Sequence, residues 1–445
     1  MPELLHRKKH LTTFQIIILG FASVIFLGAF LLMLPVSSQK GHVTPFMEAL
    51  FTSVSAVCVT GLVVQDTASY WSMFGQSVIL LLIQIGGMGV VTVGALIAMI
   101  SGKKISLMQR STMQEAIAVP KVGGIVRLTG FIIKAVLIFE LLGTFAMMPV
   151  FCKNFGIKGI WMAIFHSVSA FCNAGFDLLG TTEASFVSLT SYAGNPVINI
   201  TIMLLIIIGG IGFLTWDDIR INKIHFMHYR MQTKVIIVST VILLIFPALY
   251  FYFREFPSLP VGERILSAIF QSVAPRTAGF NTVDLAQVTG AGQCIIILLM
   301  LIGGSPGSTA GGMKTTTAAV LLANAIAVFR RKEDVQFFGR RVEGKVIKNA
   351  ATILMMYLVL FIGGGLLISI AEDMPLGSCL FETASAIGTV GLTLGVTPSL
   401  GTISRVILMV LMFFGRVGGL TLIYAAFSET SRNFSKLPQE NITVG

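Results

Sequence analysis

The chain has 445 residues, of which 55% are hydrophobic and 11% charged, whereas an ordinary soluble domain carries about 25% charged residues. This composition excludes a soluble domain and specifies a membrane protein. The formal net charge of +11 follows from an asymmetric placement of Lys and Arg along the chain, so it does not indicate nucleic-acid binding.

Eight apolar stretches are long enough to cross a hydrocarbon core, for which a helix needs about 20 residues. They lie near Phe14 to Leu34, Phe74 to Ile100, Leu128 to Phe151, Val197 to Thr215, Val235 to Phe253, Cys294 to Phe329, Ile347 to Ala371 and Val406 to Phe427. The first follows the basic run HRKKH but is longer than a signal-peptide core, and no small-residue cleavage site follows it. It is therefore expected to be an uncleaved helix. Of the 31 Lys and Arg, 21 fall in the two termini and the segments after the second, fourth and sixth stretches, 7 fall in the other loops, and Lys134, Lys314 and Arg416 lie inside apolar segments. Basic residues mark cytoplasmic loops, so both termini are expected in the cytoplasm. Cys58, Cys152, Cys172, Cys294 and Cys379 are odd in number and contain no CxxC pair. They indicate neither a disulfide framework nor a thiolate metal site.

Between each odd stretch and the next even one lies a shorter segment, too short to span, that ends in a small polar residue, a glycine and a large apolar residue. The four copies read PFMEALFTSVSAVCVTGLV, IWMAIFHSVSAFCNAGFDL, ERILSAIFQSVAPRTAGFN and GSCLFETASAIGTVGLTLG, with aligned glycines Gly61, Gly175, Gly279 and Gly391. The glycines are spaced at 175−61=114, 279−175=104 and 391−279=112 residues, about a quarter of the chain each. The expected architecture is an all-α polytopic membrane protein of four parallel repeats: 1–110, 111–225, 226–335 and 336–445, the last including a cytoplasmic tail. Each repeat reads as span, re-entrant half-helix, glycine loop and span, arranged about an axis along the membrane normal.

Irregular backbone at membrane depth is tolerated only where it is buried in protein or lines a cavity. Glycine permits dihedrals denied to other residues. Four such loops on one axis predict rings of carbonyl oxygens around a dehydrated cation, as in potassium-channel filters. The candidate ion-binding residues are Val59, Thr60 and Gly61; Asn173, Ala174 and Gly175; Thr277, Ala278 and Gly279; and Thr389, Val390 and Gly391.

On these motifs the whole chain resembles the Trk/Ktr/HKT superfamily of potassium transporters, most closely the KtrB membrane subunits of bacterial Ktr systems. The resemblance implies potassium uptake across a bacterial plasma membrane, with the four glycines as selectivity determinants. A serine in the first loop accompanies sodium transport in some relatives, so Gly61 favours potassium. The resemblance also implies a membrane homodimer with one complete pore per protomer, embedded in the lipid bilayer. A KtrA-like (RCK-type) cytosolic regulatory ring would bind nucleotide on the chain's behalf. The basic loop RRKEDVQFFGRRVEGK and the tail SETSRNFSKLPQENITVG are the expected docking surfaces. None of the four loops continues as GYG, so fewer ordered ion sites and weaker discrimination than in a channel are expected.

The sixth stretch contains LIGGSPGSTAGGMKTTT, too rich in glycine and proline for an unbroken helix. Its residues Gly303, Gly304, Ser305, Pro306, Gly307, Ser308, Thr309, Ala310, Gly311 and Gly312 correspond to the family's intramembrane gate loop. Ser305, Ser308, Thr309 and the Lys314 ammonium are expected to bond freed carbonyls. Arg416 lies 416−391=25 residues after its glycine, and Gly303 and Gly304 lie 24 and 25 after Gly279. These matched offsets place the arginine at the depth of the loop, as a barrier to cations and an anchor for the loop.

Glu48, Glu382, Asp177 and Asp284 are candidates for an acidic outer mouth, with a solvated rim as the alternative. Glu140 is expected to pair with Lys134 or a polar neighbour, and otherwise to carry a proton or sodium ion. His225 and His228 are too few for a metal site. No nucleotide-binding loop, catalytic triad or HExxH pattern occurs, and the chain is not expected to be an enzyme. A sodium-preferring or sodium-coupled member of the superfamily is the nearest alternative. A proton-coupled antiporter and an intramembrane enzyme are more distant ones.

Overall fold

The computed structural model describes residues 12–100, 107–117, 124–419, 421 and 440. The HRKKH run and, Glu440 apart, the C-terminal tail lie outside the described residues. So do the expectations that both termini are cytoplasmic and that the tail docks a partner.

The first quarter comprises α1 (Thr13–Met33), α2 (Phe46–Val57), α3 (Met73–Met88), α4 (Val90–Ile100) and α5 (Leu107–Ile117). The second comprises α6 (Ile125–Phe155), α7 (Lys158–Phe171), α8 (Pro196–Gly210) and α9 (Phe213–Asn222). The third comprises α10 (Met231–Tyr250), α11 (Val261–Val273), α12 (Gly290–Leu301) and α13 (Thr315–Phe329). The fourth holds a small hairpin, β1 (Gln336–Phe337) and β2 (Arg340–Arg341), then α14 (Gly344–Glu372), α15 (Leu376–Gly388) and α16 (Thr402–Val417).

Helices α1, α6, α10 with its π-helical extension to Glu255, and α14 are the four described helices long and apolar enough to cross a membrane; the bent pair α8 and α9 makes a fifth if counted as one span. Their outer faces expose large apolar side chains such as Leu27, Phe30, Leu141, Phe145, Phe246 and Ile370. In water this would drive aggregation, but in lipid it is the expected surface.

The short helices α2, α7, α11 and α15 show the opposite pattern. Three of the four start at a proline, Pro45, Pro260 or Pro375. The C-terminal half of each is mostly buried, for example from Phe51 to Val57 and from Phe381 to Gly388. Buried hydroxyls join each to the long helix before it. Ser53 Oγ donates to Ile25 O at 2.6 Å, Ser167 to Glu140 O at 2.6 Å, Ser272 to Leu244 O at 2.6 Å, and Thr383 Oγ1 to Phe361 O at 3.2 Å. With no water to satisfy them in the bilayer, these pairings fix each short helix at one depth.

The helix following each glycine loop is interrupted in every quarter. Gly89 (φ 84°) separates α3 from α4, Gly212 (φ 94°) separates α8 from α9 with a 95° bend, and Gly418 (φ 89°) ends α16. A break in the sixth stretch was expected. Those in the second, fourth and eighth were not, because a lone glycine in an apolar run reads as a packing residue. The third quarter differs by inserting a whole loop between α12 and α13.

Candidate functional site: four glycine loops and an intramembrane loop

The residues just after α2, α7, α11 and α15 adopt the same backbone alternation. Val59, Asn173, Thr277 and Thr389 have φ of 56°, 60°, 71° and 51°, and Gly61, Gly175, Gly279 and Gly391 have φ of 91°, 68°, 78° and 95°. The intervening Thr60, Ala174, Ala278 and Val390 are not left-handed. Alternating handedness turns successive carbonyls toward the same side, which a regular strand cannot do.

The glycine was expected to be the one position with special geometry. The structure adds the residue two before it, occupied by a non-glycine in all four loops. For β-branched Val59, Thr277 and Thr389 this conformation costs about 1–3 kcal/mol each. The sequence carries no sign of it, because such residues normally argue against a left-handed position.

The loops form a closed ring. A side-chain carbon added to Gly175 would lie 2.7 Å from Ala278 O. One on Gly279 would face Val390 O, one on Gly391 would face Thr60 O, and one on Gly61 would face Ala174 O, each at less than 3.0 Å. Each glycine thus makes room for the carbonyl of the next quarter. The ring opens on one side into a cavity of about 80 Å³ lined by all four glycines together with Asp66 and Asp177. The helix C-termini that precede the loops direct the negative ends of their dipoles at the ring, which favours a cation.

At the other edge of the ring, Asn173 Nδ2 donates to Thr277 Oγ1 at 3.1 Å. Asn173 Oδ1 and Thr389 Oγ1 are buried without a partner among the described residues. Orphaned acceptor oxygens at this edge suit a cation that sheds its hydration shell.

Residues 302–314 pack directly against this edge. Additions at Gly303 would meet Thr277 Cγ2 at 3.2 Å, and at Gly311 would collide with Thr389. The segment is held by main-chain bonds, Ser305 N to Gly210 O at 2.9 Å and Thr309 N to Gly209 O at 3.2 Å. Among its side chains, Thr309 Oγ1 donates to Phe171 O at 3.1 Å, Ser308 Oγ to Ser305 O at 2.7 Å, and Lys314 Nζ to Ala310 O at 2.8 Å and Gly311 O at 3.2 Å. Ser305 Oγ pairs with Thr315 Oγ1 at 3.2 Å, a hydroxyl rather than a freed carbonyl. Arg416 donates to Thr309 O in the loop and to Gly86 O, and at 3.1 Å to Gly87 O at the end of α3. It therefore ties the loop to the first quarter. Beyond the loop lies a cavity of about 340 Å³ lined by Pro306, Lys314, Gly87, Gly89 and Arg416.

The carboxylates separate into different roles. Glu382 is buried and bonded to Thr393 Oγ1 at 2.6 Å, to Leu394 N at 3.0 Å and to Thr397 Oγ1, so it holds the chain behind the fourth loop and does not face the mouth. Glu48 accepts from Gln65 Nε2 at 2.9 Å, and Asp284 caps the turn at Ala286, away from the cavity. Only Asp177 of the four lines the mouth. It is joined by Asp66, which accepts from Ala68, Ser69 and Phe186 and so stitches two outer loops together. Glu140 is not paired with Lys134. Its carboxyl faces Cys172 Sγ at 3.9 Å, between α6 and the end of α7, with Gln84 alongside. His225 and His228 meet edge to face, and no cluster of metal-ligating side chains exists among the described residues.

A family model described as TrkH, cation transport protein, matches residues 5–436. The chain is 39% identical over 455 residues to the potassium/sodium uptake protein NtpJ of Enterococcus hirae, covering 98% of both chains. It is 37% identical over 438 residues to the Ktr system potassium uptake protein B of Bacillus subtilis, covering 97% and 96%. The fold matches the crystal structure of the potassium transporter TrkH from Vibrio parahaemolyticus with a TM-score of 0.74 at 20% identity, covering 94% and 85%. The chain belongs to the TrkH family of cation transport proteins, which are membrane transporters and not enzymes.

Proposed function

We propose that the protein carries potassium into the cell across the plasma membrane through a pore that one chain closes by itself. In this reading the chain crosses the membrane eight times in four parallel repeats, 1–110, 111–225, 226–335 and 336–445. The broken second helices count as spans, and both termini are cytoplasmic. Potassium loses its water to the carbonyls of Val59 to Gly61, Asn173 to Gly175, Thr277 to Gly279 and Thr389 to Gly391. The observation that carries the proposal is the four-membered ring of alternating left-handed residues, in which every glycine abuts the next repeat's carbonyl.

The loop from Gly303 to Gly312 obstructs the pathway inward of the ring, and Arg416 latches it through Thr309 O. Its guanidinium also repels cations there, since charge at this depth is little screened. A cytosolic nucleotide-binding ring of KtrA-like (RCK) type regulates the latch, docking on the arginine-bearing hairpin of β1 and β2 of a membrane homodimer. Potassium uptake by relatives 34–39% identical supports the cargo. Sodium transport is the second reading, favoured by the potassium/sodium name of the Enterococcus relative.

The test is rubidium and sodium uptake into proteoliposomes by the parent, Gly61→Ser, Gly175→Ser, Gly279→Ser and Gly391→Ser. Each added side chain collides with a ring carbonyl, so each should lower the rubidium-to-sodium ratio, by about tenfold or more for one lost carbonyl contact. Parental ratios in all four would remove the ring from the pathway.

A further inference from the structure

The third quarter holds a buried cation that the mechanism above leaves unused. Arg276, three residues before Gly279, is 7% exposed, and its Nε is buried with no partner. Among the described residues its side chain makes no hydrogen bond or ion pair, whereas Lys314 and Arg416 are both engaged with carbonyls. It lines a cavity of about 10 Å³ with Ile206, Ile207, Gly210, Val273 and Gly304, room for one water at most. Gly304 lies near the start of the intramembrane loop, and Gly210 O is the acceptor on which Ser305 N hangs. Thr240, Ser267, Gln271 and Thr282 of the same quarter also carry orphaned buried polar atoms, so among the described residues this quarter holds five of the eleven that do.

A buried Nε–H with no acceptor is costly, and a cation left unpaired in one arrangement of the molecule is free to bond in another. To clear the pathway the loop must give up the bonds Ser305 N to Gly210 O, Thr309 N to Gly209 O and Phe213 N to Gly307 O, and its latch on Arg416. Carbonyls freed at membrane depth need new donors. A guanidinium offers five, and this one stands at the joint between the loop and α8. We propose that Arg276 is the receiving residue of the conducting state: it bonds the carbonyls that the loop, Gly209 and Gly210 release when the loop moves. It is a positioning residue, acting through the loop and not on the ion. The inference rests on the loop being the gate.

The test compares rubidium uptake in proteoliposomes for the parent, Arg276→Met, Arg276→Lys, Arg416→Ala and the Arg276→Met/Arg416→Ala pair. Arg276→Met should lower the maximal rate about tenfold, the worth of one charge-assisted hydrogen bond gained on opening, at an unchanged half-saturating rubidium concentration. Arg276→Lys should recover much of the loss. In the pair, loss of the closed-state latch should offset the loss of the open-state partner. Should Arg276→Met not fold, Arg276→Gln carries the same comparison. If Arg416→Ala leaves uptake unchanged, the gate reading falls and this inference with it. If Arg416→Ala raises uptake while Arg276→Met matches the parent, or shifts half-saturation alone, only the Arg276 inference falls. Equal losses in Arg276→Met and Arg276→Lys, with no recovery in the pair, would show a merely structural arginine and overturn it.

Discussion

Asp177 stands two residues beyond Gly175 and lines the cavity at the ring half-buried. Removal from water pushes its carboxyl up to about 7, and the neighbouring Asp66 carboxylate pushes the same way against the Leu179 N–H it accepts. An acid with a raised value is charged above it and neutral below it. The mouth therefore gains a negative charge as the pH rises through about 7 and loses it as the pH falls. At sub-saturating rubidium, uptake should decline as the outside is acidified through this range, and Asp177→Asn should flatten the profile at the low-pH level. A pH profile of initial uptake rates checks this; an identical profile in the variant would place the titration elsewhere. At this scale the sequence was only partly legible. The four ring glycines were readable because they recur at equal spacing. The left-handed residue two before each was not, because Val59, Thr277 and Thr389 are types that local preference assigns to extended backbone. The neighbours of Glu140 depend on which helices meet, and those of Glu382 on how the chain after the fourth loop folds back, and spacing encodes neither.

Among the helices, two classes of glycine do different work. Gly86, Gly209 and Gly415, each three residues before a break, leave no space for a side chain: an added carbon would strike the carbonyls of Val57, Phe171 and Ile387 at the ends of α2, α7 and α15. Their lack of a side chain lets the second helix of each quarter press against the short helix that carries the ring. Gly363, midway along α14, has nothing within 4 Å. Gly415→Ala should therefore destabilise the protein by about 1–3 kcal/mol through overpacking. Gly363→Ala should be neutral or stabilising by up to about 1 kcal/mol, since it removes only a helix-breaking preference. Thermal unfolding in detergent distinguishes them; a larger loss for Gly363→Ala would refute this division. The long lipid-facing helices and the short half-helices were legible as elements because their lengths differ so plainly. The breaks at Gly89, Gly212 and Gly418 were hidden because a single glycine in an apolar run has the same appearance whether it packs or bends.

For the whole molecule, the ring needs one loop from each quarter of the same chain, and the closures from Gly391 to Thr60 and from Gly61 to Ala174 complete it without a second copy. A single chain reconstituted in a nanodisc should therefore bind rubidium with the affinity seen for the protein at higher copy number. Binding that appears only with two chains per disc would assign the ion site to an interface between copies. The four short helices, each followed by a glycine loop, were legible from spacing alone. The seating of the loop 302–314 against Thr277 and Thr389 was not, because it depends on how the loop folds back on its own quarter and on the next, which spacing does not encode.

The position of the cation is decisive. Crystals grown with rubidium should show anomalous density on the axis of the four loops, within coordination distance of the carbonyls of Thr60, Ala174, Ala278 and Val390. The density should weaken in Gly279→Ser. An axis empty of rubidium, with density instead off the axis beside Glu140, would contradict the account.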